Sequence, residues 1–135
     1  MVIAAPATPQ SLDTEFDGSL GTLDMIGYLY DSLIAFETIP DPSVPGVYRE
    51  DVADYPELPG NVNIVGKLAE SWTVGEDGSW VEFKLREGVK SGWGNELTAA
   101  DVVWTWERKF ALGAIGGFFT KILGMSGPDN VKALD

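Results

Sequence analysis

Hydrophobic and polar residues alternate cleanly from Trp80 to Arg86. Val81, Phe83 and Leu85 take one side; Glu82, Lys84 and Arg86 take the other. A period of two is that of a β-strand with one wet face. Leu68–Val74 also has strand character, and Gly75-Glu76-Asp77-Gly78 lies between the two runs. Asp-Gly supplies the positive φ values of a tight reversal, so the pair predicts an antiparallel hairpin. The period turns helical after Leu97. Val102, Trp106 and Phe110 recur at i, i+4 and i+8, with Ala99 and Val103 beside them. Thr98 and Asp101 form a variant capping box, with Asp where Glu is commoner, and Gly113 ends the helix. A glycine-weakened second helix runs from Ile115 to Leu123 and is closed by Pro128; Val131–Leu134 reads as the approach to another strand.

The first third is less regular. Residues 1–22 read as extended chain and loop. Leu23, Ile26, Tyr30 and Leu33 fall at helical spacing, so a helix is expected near 23–32 with Thr22 as its cap, followed by a short strand from Leu33 to Phe36. Residues 37–61 hold five of the eight prolines and six carboxylates. Proline removes backbone donors, so this stretch reads as one long surface loop. The sum is an α+β fold: a small, largely antiparallel sheet with two or three helices.

Composition narrows the chemistry. A net charge of −12 over 135 residues repels phosphate backbones, which argues against nucleic acid, and disfavours anionic membrane surfaces. With no cysteine and no histidine, disulfides and thiol or imidazole catalysis are excluded. No apolar run approaches the ~20 residues of a membrane span. Residues 1–10 are apolar but short, uncharged and proline-broken, unlike a signal peptide.

A carboxylate-based glycosidase would need two acids across a cleft, about 5–9.5 Å apart. Asp13, Glu15 and Asp17, or Glu50, Asp51 and Asp54, are the candidates, and solvated loop acids are the simpler reading. The run Glu50–Asp54 lacks the spacing and central glycine of a calcium loop, so no metal is expected, and no cofactor motif is present. Trp72, Trp80, Trp93, Trp104 and Trp106 could build a stacking platform for a sugar or peptide. Core packing is the simpler account of Trp72 and Trp106. Trp104 lies roughly 200° around the helix from Trp106 and cannot share its face. Trp93, in a glycine turn, is the tryptophan placed to touch a ligand or a neighbouring domain.

Several runs taken together resemble a known family. They are Leu68-Ala69-Glu70-Ser71-Trp72, Glu76-Asp77-Gly78, Phe83–Lys90, Leu97–Val103 and Glu107-Arg108. Their order and spacing are similar to the signature of family 5 bacterial extracellular solute-binding proteins, the peptide, dipeptide and nickel receptors of ABC transporters. Pro9-Gln10-Ser11-Leu12-Asp13 and Tyr30-Asp31-Ser32-Leu33 resemble its earlier segments. Ser91-Gly92-Trp93-Gly94-Asn95 departs from the family turn, and the loop from Pro40 to Gly60 is longer than usual.

The resemblance implies a non-enzymatic receptor outside the cytoplasmic membrane, membrane-associated in its parent, that delivers a small solute such as a peptide to a permease. The family fold is a two-lobed clamp (type II, cluster C) with a small domain inserted in the first lobe. This chain resembles its N-terminal part: residues 1–36 from the first lobe and 37–135 from the inserted domain. A missing C-terminal lobe is therefore an implied partner. Weak solute binding, exposed apolar surface and self-association are expected. The loop Phe16-Asp17-Gly18-Ser19-Leu20 is the implied ligand contact, with Ser19 offering its hydroxyl and Gly18 and Leu20 their amides; Trp93, from its own glycine turn, is the further candidate. A stand-alone carbohydrate- or peptide-binding module using the tryptophan-rich face is the alternative.

Overall fold

The computed structural model describes residues 8–13, 15–51, 63–113 and 115–134. By their own contacts the residues fall into two compact units: Met1–Tyr30 with Lys90–Asp135, and Asp31–Val89. The expected split at residue 36 refers to lobes of a longer protein, which is a different division. Among the described residues, three helices and a set of small antiparallel sheets make the chain α+β.

Among its described residues the Asp31–Val89 unit contains six strands: β1 (Ile34–Phe36), β2 (Thr38–Pro40), β3 (Tyr48–Glu50), β4 (Ile64–Gly66), β5 (Ala69–Val74) and β6 (Val81–Leu85). They form three two-stranded sheets: β1 with β4, β2 with β3, and β5 with β6. The expected hairpin is β5–β6. Trp72 opposes Phe83 and Val74 opposes Val81, so the apolar residues share a face as the alternation requires. On the wet face Lys84 pairs with Glu70 at 2.8 Å. Gly78 takes φ 70°, and Asp77 Oδ1 accepts the Ser79 amide at 3.0 Å to fix the turn.

One expectation fails here. Residues 37–51 are not loop throughout: β2 and β3 pair within them, with Pro40 opposite Tyr48. Three of the prolines that suggested a loop are described: Pro40 ends β2, and Pro42 and Pro45 lie with Gly46 (φ 80°) in the reversal after it. Proline is tolerated at such edges, and its ring does not disturb the pairs on either side. The rest of that expectation, residues 52–61, lies outside the described residues. Gly66 is required by the corner between β4 and β5, since a Cβ there would lie 2.3 Å from the Ala69 carbonyl oxygen.

The other unit holds α1 (Leu20–Leu29), α2 (Ala99–Leu112), α3 (Ile115–Ile122) and a short 3-10 turn at Pro128–Asn130. Asp101 Oδ2 accepts the Thr98 amide at 2.8 Å, closing the cap of α2 as expected. Gly113 ends that helix in the left-handed conformation, φ 62°. α3 packs against α2. α1 starts three residues earlier than its apolar spacing suggests, with Ser19 at the N-cap, and stops at Leu29 because Tyr30 is extended. Thr22 is no cap. It is wholly buried inside the first turn, and its one hydroxyl proton is shared between Asp17 and the Ser11 carbonyl, 2.9 Å away.

Burial is unusual. Among the described residues the one fully buried hydrophobic residue is Ala69, whereas Glu15, Thr22 and Thr120 are buried polar ones. Tyr28, Leu29, Trp104, Phe118, Ile122 and Leu123 are all at least half exposed.

Candidate functional site: the Asp13–Ser19 loop and the Trp93 turn

The loop before α1 is built by two carboxylates. Asp13 folds the first turn: its carbonyl accepts the amides of Phe16 and Asp17, each at 3.2 Å, and its Oδ1 accepts the Glu15 amide at 3.1 Å. Asp17 then gathers the chain around itself. Its Oδ2 accepts the amides of Gln10 and Ser11 at 3.2 Å, the Ser19 hydroxyl at 2.9 Å and the Thr22 hydroxyl, and its Oδ1 accepts the Ser19 amide at 2.9 Å. Hydrogen bonds to the ionised form favour it. The Thr22 hydroxyl first, then the Ser19 amide, hold the Asp17 carboxyl down at about 2.

α2 supplies the countercharges. Arg108 donates to both oxygens of Asp13, at 2.8 Å through Nη1, and this holds the Asp13 carboxyl below its ordinary value. Lys109 Nζ lies 3.1 Å from Glu15 Oε1. Each cation also sits over an indole: Arg108 is 5.9 Å from the Trp104 ring centre and Lys109 5.1 Å from that of Trp106. Two close approaches complete the fit. A Cβ on Gly18 would lie 2.6 Å from Ile115 Cγ1, and one on Gly116 would lie 2.9 Å from Glu15 Oε2.

These contacts define what the expected ligand residues do in the isolated chain. Asp17 accepts five internal hydrogen bonds. Both donors of Ser19 point at Asp17. Gly18 packs on α3, and Leu20 begins α1. Phe16 at the loop's tip is exposed. Trp93 is 97% exposed, on a turn locked by the Ser91 amide to the Asn95 carbonyl and the Gly94 amide to the Ser91 carbonyl, both 2.9 Å. The Trp93 amide donates to Ser91 Oγ at 3.1 Å, and Gly94 takes φ 91°.

Among the acids considered for hydrolysis, Asp13 and Glu15 each face a cation, and Asp51 accepts from Asn63 Nδ2 at 2.7 Å. Glu50 lines a cleft of about 300 Å³ beside β1, and Asp54 lies outside the described residues. Sequence reasoning missed Arg108 and Lys109. Their signal was present: Trp104–Arg108 and Trp106–Lys109 are spaced four and three residues apart, the intervals at which helical side chains meet.

The model of the bacterial extracellular solute-binding proteins, family 5 Middle, matches residues 63–133, more than half of the 135. The chain belongs to this family. The match takes in β4, the β5–β6 hairpin, Trp93 and the helical pair α2–α3. It therefore includes Arg108 and Lys109, while the loop they hold precedes it. A family 5 solute-binding protein captures solute for ABC transport on the extracellular side of the membrane, and the family is typically non-enzymatic. Among the described residues of this member, no helix is long and apolar enough to cross a bilayer.

Proposed function

We propose that this family 5 chain forms part of one wall of a solute clamp for oligopeptide or dipeptide uptake. Residues 1–36 would contribute to the first lobe, and 37–135 to the small domain inserted in it. A second lobe and a periplasmic or extracellular encounter with a permease complete the proposal. The family match carries it. The exposed faces of α1 and α3 support the idea of a partner surface, because large apolar patches on soluble proteins mark interaction sites.

Within that wall the loop Asp17–Leu20 and Trp93 are assigned to the solute side. Phe16 and Trp93 offer exposed aromatic surface, and Asp17, Gly18 and Ser19 hold the loop's shape. Closure of two lobes supplies most contacts in a clamp, so one wall binds weakly. Titration with trialanine at millimolar concentration, followed by amide NMR, is the test. Small shifts confined to residues 16–20 and 92–94 are expected. Trialanine that leaves both segments unmoved removes the assignment.

A second reading rests on Trp93 alone. An indole this exposed, on a turn this well bonded, suits a self-contained module that stacks a sugar or peptide. Submicromolar quenching of tryptophan fluorescence by an oligosaccharide or peptide, lost in Trp93→Ala, would favour it over the clamp wall.

A further inference from the structure

Adjacent cations on α2 meet two carboxylates spaced two residues apart in the loop. We infer that Arg108 and Lys109 are positioning residues that hold the Asp13–Ser19 loop in its observed shape. The bearing of this on solute capture rests on the assignment of that loop to the solute side.

Three observations carry the inference. First, the Lys109–Glu15 pair is not an ordinary surface pair. The side chains of Lys109 and Glu15 are 23% and 7% exposed, against 67% and 52% for the Lys84–Glu70 pair on the sheet. Exposed pairs contribute little, whereas a desolvated pair with good geometry resists separation. Second, each cation is backed by an indole, which limits the rotamers it must give up. Third, α3 leaves room for the arrangement. Gly116 is placed where any side chain would run into Glu15 Oε2.

The connection to the loop is direct. Arg108 grips the carboxylate of the residue whose carbonyl and Oδ1 fold the turn over Glu15, Phe16 and Asp17. That turn delivers Asp17, and Asp17 sets the Ser19 amide and hydroxyl. Displacing Asp13 or Glu15 from α2 therefore loosens every bond that shapes the loop. Arginine's fork makes the Asp13 contact bidentate, which a lysine cannot copy.

Hydrogen exchange on the whole chain tests this. Lys109→Met keeps the apolar stem and removes the charge; Lys109→Arg keeps the charge. Lys109→Met is expected to accelerate exchange of the Phe16, Asp17 and Ser19 amides about tenfold, the scale of a lost partly buried ion pair. Lys109→Arg is expected to return them to within about twofold of the parent chain. Arg108→Lys should be intermediate. The Met125 amide, bonded to the Thr120 carbonyl in the same unit, reports that this unit is folded, and the Gly75 amide, bonded to the Trp80 carbonyl, reports on the other. Unchanged loop exchange in Lys109→Met, or acceleration equal across α2, α3 and the loop, overturns the inference. Trialanine separates the two claims. If exchange responds as expected but trialanine does not move the loop amides of the parent chain, the positioning role stands and the solute assignment falls.

Discussion

Asp17 is the residue on which the most local structure converges, and its titration makes that testable. Its folded value of about 2 lies below the ordinary 3.8. A depressed carboxylate adds stability that is fully present above the unfolded value and lost as pH falls through the folded one. The loop bonds are therefore expected to persist at pH 4 and to fail as pH approaches 2, read as exchange of the Ser19 amide or as loss of helical circular dichroism. Asp17→Asn keeps the shape but lowers acceptor strength. It should reduce the melting temperature at neutral pH and flatten this acid dependence. A variant with the parent's acid profile would mean that Asp17 does not hold the loop. Neighbouring glycines of α3 give a second contrast. Gly116→Ala must displace Glu15 or the Lys109 backbone, 2.9 and 3.2 Å from the new Cβ, and is expected to destabilise. Gly117→Ala meets nothing within 4 Å and should stabilise by about 0.5–1 kcal/mol through helix propensity. Thermal melts of the two variants check opposite signs one position apart.

At the scale of elements, periodicity was the reliable guide. The alternation of Val81, Phe83 and Leu85 and the recurrence of Val102, Trp106 and Phe110 each marked the element that the structure contains. Signals that depend on partners distant in sequence were not legible. Nothing near Thr22 shows that Asp17 and Ser11 will take its hydroxyl, so a buried threonine passed for a cap. Arg108 and Asp13 are 95 residues apart, and no local pattern pairs them. The proline-rich stretch misled for a different reason: composition overrode pairing. Its register is regular. Pro40 opposes Tyr48 and Phe36 opposes Ile64, so the paired residue numbers sum to 88 on one side of Glu37 and 100 on the other. The difference is 12, and Glu37 itself donates to the Asn63 carbonyl at 2.8 Å while its carbonyl accepts the Asp51 amide at 2.7 Å. The strands β1–β2 and β3–β4 thus form one long hairpin interrupted opposite Glu37. Deleting residues 52–63 joins Asp51 to Ile64 in continuous register. That deletion is expected to retain the cross-strand contacts of Ala35 with Val65 and of Ile39 with Arg49, seen as inter-strand NMR contacts. Their loss would mean that the interrupted segment holds the two halves in place.

Over the whole molecule, two terms oppose each other. The exposed residues Tyr28, Leu29, Phe118, Ile122 and Leu123 provide apolar surface that gains about 25 cal/mol for each Å² removed from water. The net charge of −12 repels a second copy. Burial is short-ranged, whereas repulsion between like-charged surfaces is screened over a Debye length, about 10 Å at 0.1 M salt and 3 Å at 1 M. Salt therefore weakens the opposing term and leaves the apolar one intact. The chain is expected to self-associate, and to do so more strongly as sodium chloride rises from 0.1 to 1 M. Sedimentation velocity over a concentration series at both salts measures this, with binding of a hydrophobic dye reporting the free apolar surface. Ile122→Glu, which removes exposed apolar surface from α3 and adds to the negative charge, should shift the chain towards monomer at both salts. Association that weakens with salt would point instead to ion pairing between copies. A monomer at every concentration, with no dye binding, would mean that these side chains are covered in solution.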